Sequence, residues 1–286
     1  STIEKSIIFA AFGRINTLYM IARAGSGHIG SSFSSMDIMS WLLINEVRTP
    51  AESDTTSPRD IFFSSKGHDA PGLYNVFIGL GRLEFDLIHT LRKLGGLPGH
   101  PDIFTPNIVT NTGSLGMGIS KAKGMIFANR LLKRTGNVFV LTGDGELQEG
   151  QFWESLVSAV NHKLHELVVV IDHNKLQSDT LVAKVSDLGN LEAKLSAFGW
   201  HVSRCDGNDL TAFSRTLAGA KSVTDKPKVI IADTIKGKGV SFMEHTSIDS
   251  DVENYKFHSG APTAEAYVDA AQELINNANA MLKVFS

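Results

Sequence analysis

The sequence predicts a doubly wound α/β fold, a mainly parallel sheet flanked by helices, and three observations carry that expectation. Two uninterrupted apolar runs, 138–141 and 167–171, suit strands buried on both faces of a parallel sheet. The segment between them is long enough for a crossover helix. Each run ends in a polar turn, Gly143-Asp144-Gly145 after the first and a turn holding Asn174 after the second. Both turns therefore fall at the carboxyl ends of neighbouring strands, where open α/β sheets bind ligands.

Residues 3–24 carry apolar side chains at helical spacing, with Ile7, Ile8, Phe12, Ile15, Leu18, Tyr19 and Ala22 on one side. This helix stops at the glycine-rich stretch 25–32. A second helix is expected over 35–46, with Asp37 in its first turn, where a negative charge complements the helix dipole. A polar loop over 50–58 leads to a short strand over 60–63, which runs into the polar turn 64–68. Helices follow over 70–80 and 84–91. The stretch 94–114 holds four glycines and three prolines and is expected to be irregular, a property that in compact domains often marks function. Residues 114–132 read as a helix whose glycines allow close packing, 153–161 as the crossover helix, and 188–198 as another. Strands are expected over 201–205 and 229–234, separated by a helix over 210–221. After the Lys-Gly-Lys-Gly run 236–239 and an acidic loop, a closing helix spans 263–282. No repeat, low-complexity linker or composition shift divides the chain, so residues 1–286 are expected to form one domain.

A net charge of −3 over 286 residues gives no electrostatic case for nucleic acid or an anionic membrane surface. The single cysteine, Cys205, excludes an intrachain disulfide and a thiolate metal cluster; it reads as a small buried residue beside a strand. The first residues, with Glu4 early, read as helix rather than as a signal peptide, and no apolar run is expected to span a bilayer. A cytoplasmic location follows as the expectation.

The two polar turns carry the chemistry. Asp144 offers a carboxylate, Asn174 an amide oxygen, and the chain near Leu176 a carbonyl. Hard oxygen ligands of this kind suit Mg²⁺ or Ca²⁺, with Mn²⁺ a further alternative, and leave coordination positions for phosphate oxygens. Gly143 and Gly145 let the backbone approach a diphosphate without Cβ interference. This pairing resembles the thiamin diphosphate motif shared by transketolases, 2-oxoacid decarboxylases and 2-oxoacid dehydrogenases. Recurring glycine-histidine pairs narrow the resemblance. Gly27-His28 within GSGHIGSS, Gly67-His68, Gly99-His100, the run Thr112-Gly113-Ser114-Leu115-Gly116-Met117-Gly118, and His258-Ser259-Gly260-Ala261-Pro262 look like the ordered signature of the transketolase amino-terminal domain.

The resemblance implies a thiamin diphosphate-binding fold of the diphosphate-domain type and a set of roles. Asp144 and Asn174 match side-chain metal ligands, and Leu176 a carbonyl ligand. Gly145 matches a main-chain N–H on the diphosphate, with Gly143 and Gly113 beside the cofactor. His68 and His258 match histidines near the phosphates and the reaction centre. His28 and His100 match histidines that hydrogen-bond the ketose hydroxyls and move protons. Leu115 and Gly116 match the segment that packs on the aminopyrimidine, and Glu149 matches an acid of the proton-relaying network at the subunit contact. Two departures stand out. Ser114 replaces a proline common in the family, and the acidic stretch 244–256 is long, leaving either His258 or His245 for the late histidine role.

A full-length transketolase also has a second domain supplying the glutamate that activates the aminopyrimidine. The chain shows neither that domain nor a third, and so resembles the amino-terminal subunit of a split transketolase, expected to be inactive without a partner that carries the pyrimidine-binding domain. Its substrates would be sugars or sugar phosphates. The α subunit of a 2-oxoacid dehydrogenase and a non-catalytic binding module are the alternatives. The histidine series weighs against the first and the intact pair Asp144 and Asn174 against the second.

Overall fold

The computed structural model describes residues 1–51, 53–54, 56–245 and 254–285. Its strands are β1 (Ile61–Ser64), β2 (Val138–Gly143), β3 (Leu167–His173), β4 (Leu176–Gln177), β5 (Thr180–Leu181), β6 (His201–Asp206) and β7 (Lys228–Asp233). Five of them form a parallel sheet in the order β1-β2-β3-β7-β6, and β4 and β5 make a small antiparallel pair of their own. The helices are α1 (Thr2–Ala24), α2 (Ile29–Ser34), α3 (Met36–Trp41), α4 (Ala70–Gly79), α5 (Gly118–Leu131), α6 (Gly150–Asn161), α7 (Val182–Ser186), α8 (Leu191–Ala197), α9 (Leu210–Lys221) and α10 (Ala264–Phe285).

The continuous apolar runs are explained by two cores, one on each face of the sheet. Phe139, Leu141, Val168 and Val170 pack with residues of α1, α3, α4, α9 and α10. Their alternate neighbours Val138, Val140, Val169 and Ile171 pack with α5, α6 and α8. Because side chains alternate across a strand, a sheet covered on both sides needs an apolar residue at every position. The helix linking β2 to β3, α6, lies on one face, and α9, linking β6 to β7, lies on the other. The strand order reverses between β3 and β7, the kind of place where a crevice opens at the carboxyl edge. Register places Gly143 beside Asp172 and Asp172 beside Ala232, so the turns after β2, β3 and β7 leave the sheet side by side.

Helix α1 starts with a Ser1/Glu4 capping box and ends at Gly25, whose φ of 74° favours glycine. Its extent agrees with the sequence reading, but its face does not. Of the apolar residues predicted to form one side only Leu18 is fully buried and Phe12 is exposed, whereas Ser6, Ala10, Gly13, Arg14, Thr17, Met20 and Ile21 are buried. The helix packs against α3, α4 and α10, so neighbours on several sides select small residues. Gly13 lies where a Cβ would meet the Met36 sulfur at 2.8 Å. Against the expectation that no apolar run is long enough to cross a bilayer, α1 has that length and apolar content; 44% of the apolar window is buried, with Leu18, Met20 and Ile21 in the core.

The glycine-serine stretch expected to interrupt the chain is helical from Ile29, and the helix expected over 35–46 is α3 followed by a π-helical turn, Leu42–Glu46. Asp37 is held in a buried ion pair with Arg14 at 2.6 Å rather than by the helix dipole alone. The segment expected as a helix over 84–91 is a short 3-10 turn, Phe85–His89. Residues 94–114 contain neither helix nor strand, as expected, and α9 keeps its predicted bounds. Helix α7 and the β4–β5 pair had no counterpart in the sequence reading. Cys205 is half-buried in β6, and burial pushes its thiol up to about 11, as befits an inert residue.

Candidate active site

A cavity of about 300 Å³ lies at the carboxyl edge of the sheet. Its walls come from the ends of four strands: Lys66, Gly67 and His68 after β1, Gly143 to Glu146 at the end of β2, Asn174 and Leu176 to Ser178 after β3, and Lys236 after β7. His28 and Ser31 enter from the start of α2, His100, Gly113 and Leu115 from the irregular segment, and His258 from the stretch before α10. Every predicted site residue lines this cavity except Gly116, which lies just behind it. Gly116 has φ 81°, and a Cβ there would come within 2.6 Å of Glu149 Cβ, so glycine is required on both conformational and steric grounds. Glu149 is exposed at the mouth, as the N-cap residue of α6.

Four histidines far apart in sequence meet here. The ring of His28 is centred 5.1 Å from His68, 5.0 Å from His258 and 6.4 Å from His100. The late histidine at the cavity is His258; His245 instead faces the ring of Tyr255. The rest of the acidic stretch, 246–253, lies outside the described residues. Burial lowers His28 to about 3, helped by the charge on or near His258, Arg92, His100 and Lys236, and it lowers His258 to about 4, helped by Lys236. His68, more deeply buried, is also held well below its ordinary value. The cluster is therefore neutral at pH 7, and Nδ1 of His28 and of His258 has no partner among the described residues. The imidazole resonances of His28 and His258, assigned by single replacement, are expected to show no midpoint between about pH 5 and 8, where an unperturbed histidine titrates. A midpoint near the ordinary value would contradict this account of the cluster.

Two buried lysines were not anticipated from the sequence. Lys66 forms ion pairs with Asp172 and Asp69 and donates to the Ser31 carbonyl at 3.2 Å. Burial opposes its charge, but the two carboxylates more than offset this and raise it above the ordinary value. Lys236 donates to the Ser178 carbonyl at 2.6 Å; burial, and then the charge of Lys66, lower it to about 8. Lys66 precedes Gly67-His68 and Lys236 opens the Lys-Gly-Lys-Gly run, yet a loop lysine ordinarily reads as solvated.

Asp144, Asn174 and Leu176, the residues expected from the sequence to hold a metal, line the same cavity. Asp144 Oδ2 accepts the Lys175 N–H at 2.6 Å, and Oδ1 lies 3.5 Å from His173 Nε2. Asn174 Oδ1 accepts the Leu176 N–H at 3.1 Å and keeps a second lone pair. Burial pushes Asp144 up to about 6, with His173 opposing, which marks a carboxylate whose charge is incompletely compensated. One carboxylate, one amide oxygen and a main-chain carbonyl fit a hard divalent cation. Among the described residues no group of three or more His, Cys, Asp and Glu is arranged to hold a metal. The cavity's two lysines and small Gly143 and Gly145 fit an anionic, phosphate-bearing molecule beside that cation.

Residues 5–273 match the family model described as "Transketolase, thiamine diphosphate binding domain". The chain belongs to that transketolase family. It is 35% identical over 256 residues to an apulose-4-phosphate transketolase subunit of Phocaeicola vulgatus, covering 89% of this chain and 88% of the relative. It is 36% identical over 230 residues to "6-deoxy-6-sulfo-D-fructose transketolase subunit SqwG" of a Clostridium species, covering 80% and 84%. Among solved structures, transketolase from Campylobacter jejuni superposes with a TM-score of 0.84 at 28% identity, covering 94% of this chain and 43% of that one. The transketolase-family chain thus has nearly the length of the two subunits and spans under half of the solved enzyme.

Proposed function

We propose that this chain is the diphosphate-binding subunit of a two-component, thiamin diphosphate-dependent transketolase that moves a two-carbon ketol unit from a ketose to an aldose. One observation carries the reading: Asp144, Asn174, Leu176 and four histidines converge on one cavity at the strand ends. The names of the two subunit relatives support the split arrangement. Residues 1–286 act as one binding unit, and the location is cytoplasmic.

When bound, thiamin diphosphate supplies the electron sink for breaking and making the carbon–carbon bond. Asp144, Asn174 and the Leu176 carbonyl hold Mg²⁺, which neutralises the diphosphate. The Gly145 N–H, Lys66, Lys236 and His68 face the remaining phosphate charge, while Gly113, Leu115 and Gly116 form the wall against the ring system. His28 and His100 hydrogen-bond the sugar hydroxyls. Held neutral by burial, these imidazoles both donate and accept, and His258 completes the proton-handling group at the reacting carbon. Glu149, at the mouth, faces the subunit contact.

His28→Ala and His100→Ala are each expected to lower kcat by roughly ten- to ten-thousand-fold with cofactor affinity unchanged, the range for loss of a proton-transferring or hydrogen-bonding group. Steady-state kinetics paired with cofactor titration checks this; collapse of cofactor binding with intact ketose kinetics would reverse the assignment. The reading itself is tested by purifying the chain with its partner and assaying ketose donors that end in phosphate, sulfonate or a hydroxyl. Cofactor binding without ketol transfer from any donor would favour the non-catalytic module.

A further inference from the structure

Glu146 follows the metal-ligand turn by two residues and is 2% exposed. Its carboxylate is shared by three segments of the cavity wall. Oε1 accepts the Gly116 N–H at 2.9 Å and the Ser65 hydroxyl, and Oε2 accepts the Thr142 hydroxyl at 2.6 Å. Ser65 follows β1, Thr142 lies in β2, and Gly116 belongs to the irregular segment before α5. No lysine, arginine or histidine pairs with Glu146 among the described residues, so hydrogen-bond donors alone hold this buried carboxyl group.

The connection matters because the wall it serves is irregular chain. Leu115, next to Gly116, lines the cavity, as do Gly143, Asp144 and Gly145 on the other side of Glu146. The loop carrying Leu115 lacks helix and strand, and at Gly116 it is squeezed against Glu149. Ser65 also sits where a Cβ on Gly118 would come within 2.4 Å of its hydroxyl oxygen, which places the start of α5 hard against the end of β1. We propose that Glu146 is a positioning residue, whose carboxylate locks the 113–117 loop to the ends of β1 and β2 so that the Leu115 wall and the metal-ligand turn are held in fixed relation before any ligand arrives.

The consequence for cofactor affinity rests on the function proposed above; the locking of the loop does not. Reach and charge are separable at this position. Glu146→Gln keeps an acceptor for Gly116 and Ser65, and its amide donates to a reoriented Thr142 hydroxyl. Glu146→Asp keeps the charge but is one methylene too short to serve all three donors. Hydrogen exchange of the Gly116 amide in the ligand-free full chain reads the loop directly. Exchange is expected to stay within about three-fold of wild type in Glu146→Gln and to rise by about ten-fold or more in Glu146→Asp, reflecting a lost buried hydrogen bond. Titration of the partnered complex with thiamin diphosphate and Mg²⁺ should weaken in the same order. Equal protection of Gly116 in both variants and wild type would overturn the proposal, and so would loss in Glu146→Gln with retention in Glu146→Asp, which would assign the role to charge. Failure of wild type to bind the cofactor would sink the functional reading while leaving the exchange result to judge Glu146.

Discussion

Asp144→Asn is expected to abolish metal-dependent binding of thiamin diphosphate, with affinity falling by about a hundred-fold or more and the fold left standing. On the proposed function the side chain would supply the single carboxylate of a donor set whose other members are a neutral amide and a carbonyl. Its loss would leave a divalent cation no anionic protein ligand and the diphosphate charge poorly neutralised. Stability should not suffer in the ligand-free chain. Burial raises the Asp144 carboxyl to about 6, above its unfolded value, so the folded form carries an ionisation cost that is complete above that pH and relieved as pH falls below it. A neutral asparagine removes the cost and can still accept the Lys175 N–H. At pH 7.5 the variant should therefore melt no lower than wild type without ligand and should lose the rise in Tm that cofactor with Mg²⁺ produces by linkage. Asn174→Ala should lose the same rise. Calorimetric titration of the partnered complex decides the matter, and unchanged affinity in both variants would remove the metal assignment.

The sheet was legible because strands buried on both faces leave an unbroken apolar run, which 138–141 and 167–171 display. The two polar turns were legible for a related reason, since the strand ends fix where Asp144 and Asn174 emerge. The packed face of α1 was not, because contacts with α3, α4 and α10 on several sides erase a simple apolar stripe and bury Arg14 and Thr17. Nor was α2. Gly30 sits where a Cβ would meet Tyr255 at 2.8 Å, a contact made by a residue far along the chain, so packing outweighs the poor helix propensity of glycine and serine. The two buried lysines were missed for the same reason. The carboxylates that hold Lys66 lie at the end of β3 and in the turn after β1, and only the sheet order brings Asp172 to it. The histidines carried a local signal in their glycine neighbours, but their meeting within a few ångströms is a property of the fold.

The second large effect concerns assembly. In the family the chain resembles, the diphosphate is held by this domain and the aminopyrimidine by the pyrimidine domain of an opposing subunit. The two subunit relatives have nearly this chain's length, and the solved transketolase is more than twice the matched span. On the function proposed above, residues 1–286 hold the diphosphate half of a site whose activating glutamate comes from a partner subunit. On that reading the chain alone would lack the carboxylate that activates the cofactor, and its turnover should be absent rather than merely reduced. Closed two-fold symmetry then favours a heterotetramer with two copies of each chain and two cofactor sites at their interfaces. The most direct measurement is ketol transfer by the purified chain with thiamin diphosphate and Mg²⁺, first alone and then titrated with the purified partner, with mass followed by light scattering. The account predicts no transfer from the chain alone, and activity that rises with partner to a plateau at equal stoichiometry as the tetramer forms. Ketol transfer by the single chain would contradict it.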